Sequence, residues 1–136
     1  MRKTLNWIKN EYGNPPVIIT ENGFSDNLGN LDDQQRVYYY KHYINQVLKA
    51  VKLDGCNVKG YVAWSLLDNF EWSFGYTQKF GMVRVDFASS NRTRTPKSLP
   101  NISPNLPGIM DLHLLTVPVE KPHKYISINT YLHKYE

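Results

Sequence analysis

The chain has 136 residues, 41% of them hydrophobic and 13% aromatic, which suits a single domain with a modest core. The net charge is +4, but the densest basic cluster is only Arg92, Arg94 and Lys97 without interleaved aromatic residues, which argues against nucleic-acid binding. With Cys56 as the only cysteine and no metal-ligand spacing among the four histidines, we expect no disulfide, metal or other cofactor, and no apolar run is long enough to span a membrane.

Hydrophobic periodicity predicts two helices. The first covers residues 2–12 and stops at Gly13, and the second runs from a cap at Asp32 or Asp33 to a stop at Gly55. The residues expected to face the core recur at helical spacing, first Leu5, Ile8 and Tyr12, then Val37, Tyr40, Ile44, Val47, Leu48 and Val51.

A predicted strand follows each helix. Residues 17–21 begin with three consecutive apolar β-branched residues, which is typical of a strand buried on both faces, and residues 58–64 form the second apolar run. Two successive helix-to-strand units favour a parallel sheet with right-handed crossovers. Two units cannot close a (β/α)8 barrel, which needs about 200 residues or more.

The first predicted strand ends at Glu21, just before an Asn-Gly turn signal. In parallel α/β sheets the catalytic groups stand where the strands end, so Glu21 is a candidate nucleophile or general base. On these residues alone, the pattern favours the alternative that Glu21 merely begins a solvated loop.

The second predicted strand runs into a block of two carboxylates and five aromatic residues, residues 64–76. This mixture suits sugar recognition, because carboxylates accept hydrogen bonds from neighbouring hydroxyls while aromatic faces stack on the C–H surface of the ring. We expect a structural hydrogen-bonding role for Asp68. We also expect four apolar residues of the block to pack as core: Leu66, Leu67, Phe70 and Phe74.

Both segments, Ile19-Thr20-Glu21-Asn22-Gly23 and Trp64-Ser65-Leu66-Leu67-Asp68-Asn69-Phe70-Glu71-Trp72, resemble glycoside hydrolase family 1 in order and separation. The similarity runs from about Arg2 to Ser98. It implies that residues 1–99 are the C-terminal part, about the last two βα units, of an incomplete (β/α)8 TIM barrel. The substrate expected from the family is a β-linked glucoside or galactoside.

The resemblance also implies roles for five residues. Glu21 matches the nucleophile of a retaining β-glycosidase, and Trp64 matches the platform beneath the sugar, before a peptide bond to Ser65 that is often cis in the family. The remaining three match sugar-binding positions: Glu71 for the O4 and O6 hydroxyls, Trp72 for O3, and Phe80 as an apolar wall.

Two departures from the family pattern bear on activity. The acid/base Glu of an Asn-Glu-Pro block is absent from this sequence, and Met1 falls inside what would be helix six of the barrel. Residues 100–136 begin with a stretch rich in proline and match nothing in the family, so we expect an unrelated and disordered tail.

Three hypotheses follow. The first is a retaining β-glycosidase whose nucleophile and sugar subsite lie on this chain, inactive without the missing acid. The second is a sugar-binding or klotho-like interaction module without turnover. The third is a fragment that does not fold alone, since exposed edges on parallel strands favour aggregation. No compartment or oligomeric state is indicated by the sequence.

Overall fold

The computed structural model describes residues 1–98 and 126–132. Helices α1 (Arg2–Tyr12) and α2 (Gln34–Lys52) alternate with strands β1 (Val17–Phe24) and β2 (Val58–Trp64). A short 3₁₀ helix (Trp72–Phe74), strands β3 (Val83–Val85) and β4 (Arg94–Pro96), and strand β5 (Ile126–Leu132) follow. No helix in these two stretches is long and apolar enough to cross a membrane.

Helix α1 has the predicted bounds. Leu5 and Ile8 are buried, whereas Tyr12 is 58% exposed, so the prediction of a core position is wrong for that residue. Gly13 closes the helix in the left-handed conformation, with φ of +70°, where its amide donates to the carbonyl of Lys9.

Helix α2 buries a face that differs from the predicted stripe. Tyr40 and Val47 are buried as expected, but the other predicted positions are only half-buried. Their place on the buried face is taken by Arg36, Tyr39 and Ala50. The pattern missed this because a buried arginine needs partners from distant parts of the chain, which local periodicity does not show.

Strands β1 and β2 are parallel neighbours, which confirms the predicted sheet. The main core cluster joins buried residues of both helices and β1 with one from the loop before β2: Leu5, Ile8, Val17, Ile19, Val47, Ala50 and Cys56. Val58 and Tyr61 of β2 are partly buried and pack against this cluster. This core holds β1 in place, with Ile19 fully buried two residues before Glu21.

The opposite edge of β1 is paired with β5, also in parallel, so that the sheet order is β2-β1-β5. Residues 126–132 therefore form a strand where the sequence predicts a disordered tail. The rest of that tail, residues 100–125 and 133–136, lies outside the described residues. An Asn-Gly turn was also expected after Glu21, but β1 continues through it to Phe24.

Candidate active site

Glu21 lies in a β-bulge near the carboxyl end of β1. Ile19 is opposite Tyr61 of β2 and Asn22 is opposite Ala63, so two residues of β1, Thr20 and Glu21, face only one residue of β2. The pairing with β5 shifts at the same place. A bulge bends its strand and re-aims its side chains, and bulges are common beside active sites. Glu21 is half-buried there.

A cleft of about 260 Å³ opens at this end of the sheet. All five residues singled out from the sequence line it, together with two that were not: Glu21, Trp64, Glu71, Trp72, Phe80, and then Ser73 and Phe74. The cleft is smaller than the roughly 300–1,000 Å³ of pockets for drug-sized ligands. It has room for one small ring.

Glu71 is the buried carboxylate of the cleft, only 7% exposed. Its Oε1 accepts a hydrogen bond from Nε1 of Trp64 at 3.3 Å, which joins the end of β2 to the loop that follows it. Trp72 is 86% exposed and begins the 3₁₀ helix with φ of +46°. The peptide bond from Trp64 to Ser65 is cis, as the resemblance implied.

Phe80 forms a buried wall of the cleft, and its backbone is held by Arg36. This arginine is fully buried, with its Nη1 donating to the carbonyl oxygens of Phe80, at 3.0 Å, and of Phe24. Asp26 and Asp33 balance its charge, each at 2.5 Å. Arg36 thus links the N-terminal turn of α2 to the loops beyond β1 and β2, a link that the sequence did not reveal.

Asp68 has the structural role that was expected. It is 2% exposed, and its carboxylate accepts hydrogen bonds from the amides of Gly81, at 2.9 Å, and Val85, at 3.3 Å. The ammonium of Lys97 lies 3.4 Å away in the same buried region, and burial lowers the pKa of Lys97. These contacts fold the segment after β2 back onto β3.

The prediction that the aromatic block supplies core residues is wrong. Four of its apolar side chains have exposed fractions of 36% to 63%: Leu66, Leu67, Phe70 and Phe74. Phe74 instead lines the cleft, and the ring of Phe70 contacts that of Tyr76 edge-on. These four side chains are therefore not part of the core, whereas Asp68 and Glu71 of the same segment are buried.

Three buried tyrosine hydroxyls form hydrogen bonds to residues next to the cleft. Asn22, next to Glu21, is fully buried, and its amide nitrogen donates to the hydroxyl of Tyr39 at 2.9 Å. The hydroxyl of Tyr61 donates to the side-chain oxygen of Asn22. The hydroxyl of Tyr40 lies 2.9 Å from the carbonyl oxygen of Trp64. Burial raises the pKa of all three tyrosines well above the usual range, so that they remain protonated.

Comparison with known proteins identifies the class of fold. The structure superimposes on an aphid myrosinase with a TM-score of 0.70 and 54% identity, covering 72% of this chain and 21% of that protein. A β-glucosidase from the fungus Humicola insolens, solved with glucose, gives a TM-score of 0.67 at 47% identity, covering 71% of this chain and 21% of that one. The fold is the C-terminal part of a (β/α)8 barrel.

Residues 1–100 match the sequence model of Glycosyl hydrolase family 1, and the chain belongs to that family. It is 56% identical to human lactase/phlorizin hydrolase over 97 residues, which cover 71% of this chain and 5% of that protein. It is 55% identical to myrosinase 1 of Brevicoryne brassicae over 97 residues, or 71% of this chain and 21% of the relative. The chain therefore spans about a fifth or less of the length of these relatives.

Proposed function

We propose that this chain carries the nucleophile and one sugar subsite of a retaining β-glycosidase, with Glu21 as the nucleophile. The observation that supports it is the convergence of Glu21, Trp64 and Glu71 on one small cleft at the carboxyl ends of parallel strands. Family membership supports hydrolysis of a β-linked glycoside as the chemistry.

The lining of the cleft suits a glucose- or galactose-type ring. Glu71, as a carboxylate, accepts hydrogen bonds from two adjacent hydroxyls of the sugar. The indole of Trp64 offers an apolar face for the C–H surface of the ring, and its N–H orients Glu71. The indole N–H of Trp72, which is 86% exposed, would donate to a third hydroxyl, while buried Phe80 closes the apolar side.

The chemistry of a retaining enzyme explains what Glu21 would do. Its carboxylate attacks the anomeric carbon, the bond to the leaving oxygen breaks, and a glycosyl ester of Glu21 is formed. A second carboxyl group about 5–5.5 Å away protonates the leaving oxygen and later activates water. Since the sequence holds no Asn-Glu-Pro block, we propose that this chain alone binds the sugar without turning over ordinary glycosides.

Sugar binding tests this proposal in the chain as it is. Glucose is titrated while tryptophan fluorescence is recorded, and we expect saturable quenching that is lost in Glu71→Ala. Glu11→Ala is the matched control, because it removes the same charge from an exposed position on α1. An aryl β-glucoside should release no aryl alcohol under the same conditions. Equal quenching in both variants would contradict the proposed sugar subsite, and turnover by the isolated chain would contradict its proposed inactivity. Turnover that persists in Glu21→Gln would also contradict the role of Glu21 as nucleophile.

A further inference from the structure

The ends of β1 and β2 approach each other very closely beside the cleft. Gly23 is opposite Trp64 in the strand pairing, and a Cβ atom added to Gly23 would lie 2.3 Å from the carbonyl oxygen of Trp64. The two strand ends carry Glu21 and Trp64, so their separation sets the distance between the proposed nucleophile and the proposed sugar platform.

Tyr40 of α2 reaches both strand ends with one hydroxyl group. This oxygen lies 2.9 Å from the carbonyl oxygen of Trp64 and 3.1 Å from that of Asn22. The residue is 2% exposed, so water has little access to compete for either carbonyl. Because burial keeps the hydroxyl protonated, it has one proton, which the two carbonyl oxygens share in a three-centre hydrogen bond.

The neighbouring tyrosines make different contacts. The hydroxyl of Tyr39 accepts from the side chain of Asn22, and that of Tyr61 donates to the same side chain. Their hydrogen bonds therefore hold β1 through one amide group. Of these three tyrosines, Tyr40 has its hydroxyl within hydrogen-bond distance of backbone carbonyls of both β1 and β2.

We propose that Tyr40 is a positioning residue, whose hydroxyl fixes the end of β1 against the end of β2 and thereby sets Glu21 relative to Trp64. Its importance for ligand binding rests on the proposed function, whereas its effect on the placement of Trp64 does not. If a sugar ring lies between these two side chains, a displacement of Glu21 relative to Trp64 by about 1 Å would strongly weaken the interaction with the ring.

The test compares Tyr40→Phe with Tyr39→Phe in the whole chain. Both changes remove one buried hydroxyl and keep the ring. The first readout is the indole N–H resonance of Trp64 in a ¹⁵N-labelled sample, assigned by its loss in Trp64→Phe. This proton is donated to Glu71 and not to a group that Tyr40 contacts, so the resonance reports on the placement of the indole against Glu71.

We expect Tyr40→Phe to shift the Trp64 indole resonance and to weaken glucose binding about two- to tenfold, the range of one neutral hydrogen bond. Tyr39→Phe should leave the resonance in place. Incorporation of 4-aminophenylalanine at position 40, which keeps a donor at the same point of the ring, should restore both properties.

Equal effects of the two phenylalanine variants on the resonance would overturn the proposal. So would a Tyr40→Phe chain that has lost its cooperative thermal transition, because the hydroxyl would then be a requirement for folding. If the unaltered chain binds no glucose, the proposed function fails, and the indole resonance alone decides the role of Tyr40.

Discussion

Substitution of Gly23 by alanine tests the close approach of the two strand ends. The added Cβ would lie 2.3 Å from the carbonyl oxygen of Trp64 and 3.1 Å from Cδ1 of Phe80. Carbon and oxygen atoms of this kind normally approach to about 3.3–3.6 Å, so the strands must separate by about 1 Å. Such a movement would lengthen the 2.9 Å contact between Tyr40 and Trp64 beyond hydrogen-bond distance.

The expected cost follows from three terms. Overpacking costs about 1–3 kcal/mol, and the lost hydrogen bond about 1 kcal/mol more. Replacing glycine by alanine also lowers the conformational entropy of the unfolded chain, which stabilises the folded state by about 0.4–1 kcal/mol. We therefore expect Gly23→Ala to lower the free energy of unfolding by about 2 kcal/mol, measured by urea denaturation followed by circular dichroism.

Gly60→Ala is the matched control in the adjacent strand. Its added Cβ would lie 3.4 Å from Cγ2 of Ile18, an ordinary van der Waals contact, so the change should be neutral or slightly stabilising. If the two variants have the same free energy of unfolding, the strand ends do not approach as described. A chain without any cooperative transition would favour the hypothesis of a fragment that does not fold alone.

Two further predictions concern the buried tyrosines and β5. Because burial raises the folded-state pKa of Tyr39, Tyr40 and Tyr61, the stability that they contribute is present below about pH 10, the pKa of an unfolded tyrosine, and is lost as pH rises further. Above that pH, each buried tyrosine should lower the free energy of unfolding, measured by urea denaturation, by about 1.4 kcal/mol per pH unit. Tyr40→Phe should therefore make the fall of the free energy of unfolding with pH less steep. An unchanged slope would count against the burial of the Tyr40 hydroxyl. In β5, the double change Ser127→Pro and Ile128→Pro removes two adjacent backbone N–H groups. Successive N–H groups of a strand point to opposite sides, so one of the two must face β1. The double variant should therefore show less hydrogen-exchange protection in β1. Unchanged protection would show that β5 does not pair there in solution.

Much of the fold could be predicted because its signals are local. The bounds of α1 are predicted by the helical spacing of Leu5 and Ile8 and by the stop at Gly13, and those of β2 by the apolar run over residues 58–64. The resemblance brought Glu21 and the block after β2 to one place, and the structure brings the same residues to one cleft. The catalytic and binding roles of these residues remain predictions.

The rest depended on contacts between distant parts of the chain. Asn22 reads as a turn residue, but its side chain finds buried tyrosine partners from α2 and β2, so β1 continues past it. Arg36 reads as a surface residue, but two aspartates and the carbonyl of Phe80 make its burial tolerable. The pairing of β1 with residues 126–132 spans more than one hundred positions and has no local signal.

Covalent labelling of Glu21 tests the central proposal most directly. A 2-deoxy-2-fluoro-β-glucoside with a dinitrophenolate leaving group needs no acid assistance, so a nucleophile alone can displace the phenolate and form a stable glycosyl ester. Mass spectrometry of peptides should find the fluoroglucosyl group on the peptide that contains Glu21, and it should be absent from Glu21→Gln. Labelling of another residue, or none at concentrations of reagent that saturate tryptophan quenching, would contradict the assignment of Glu21 as the nucleophile.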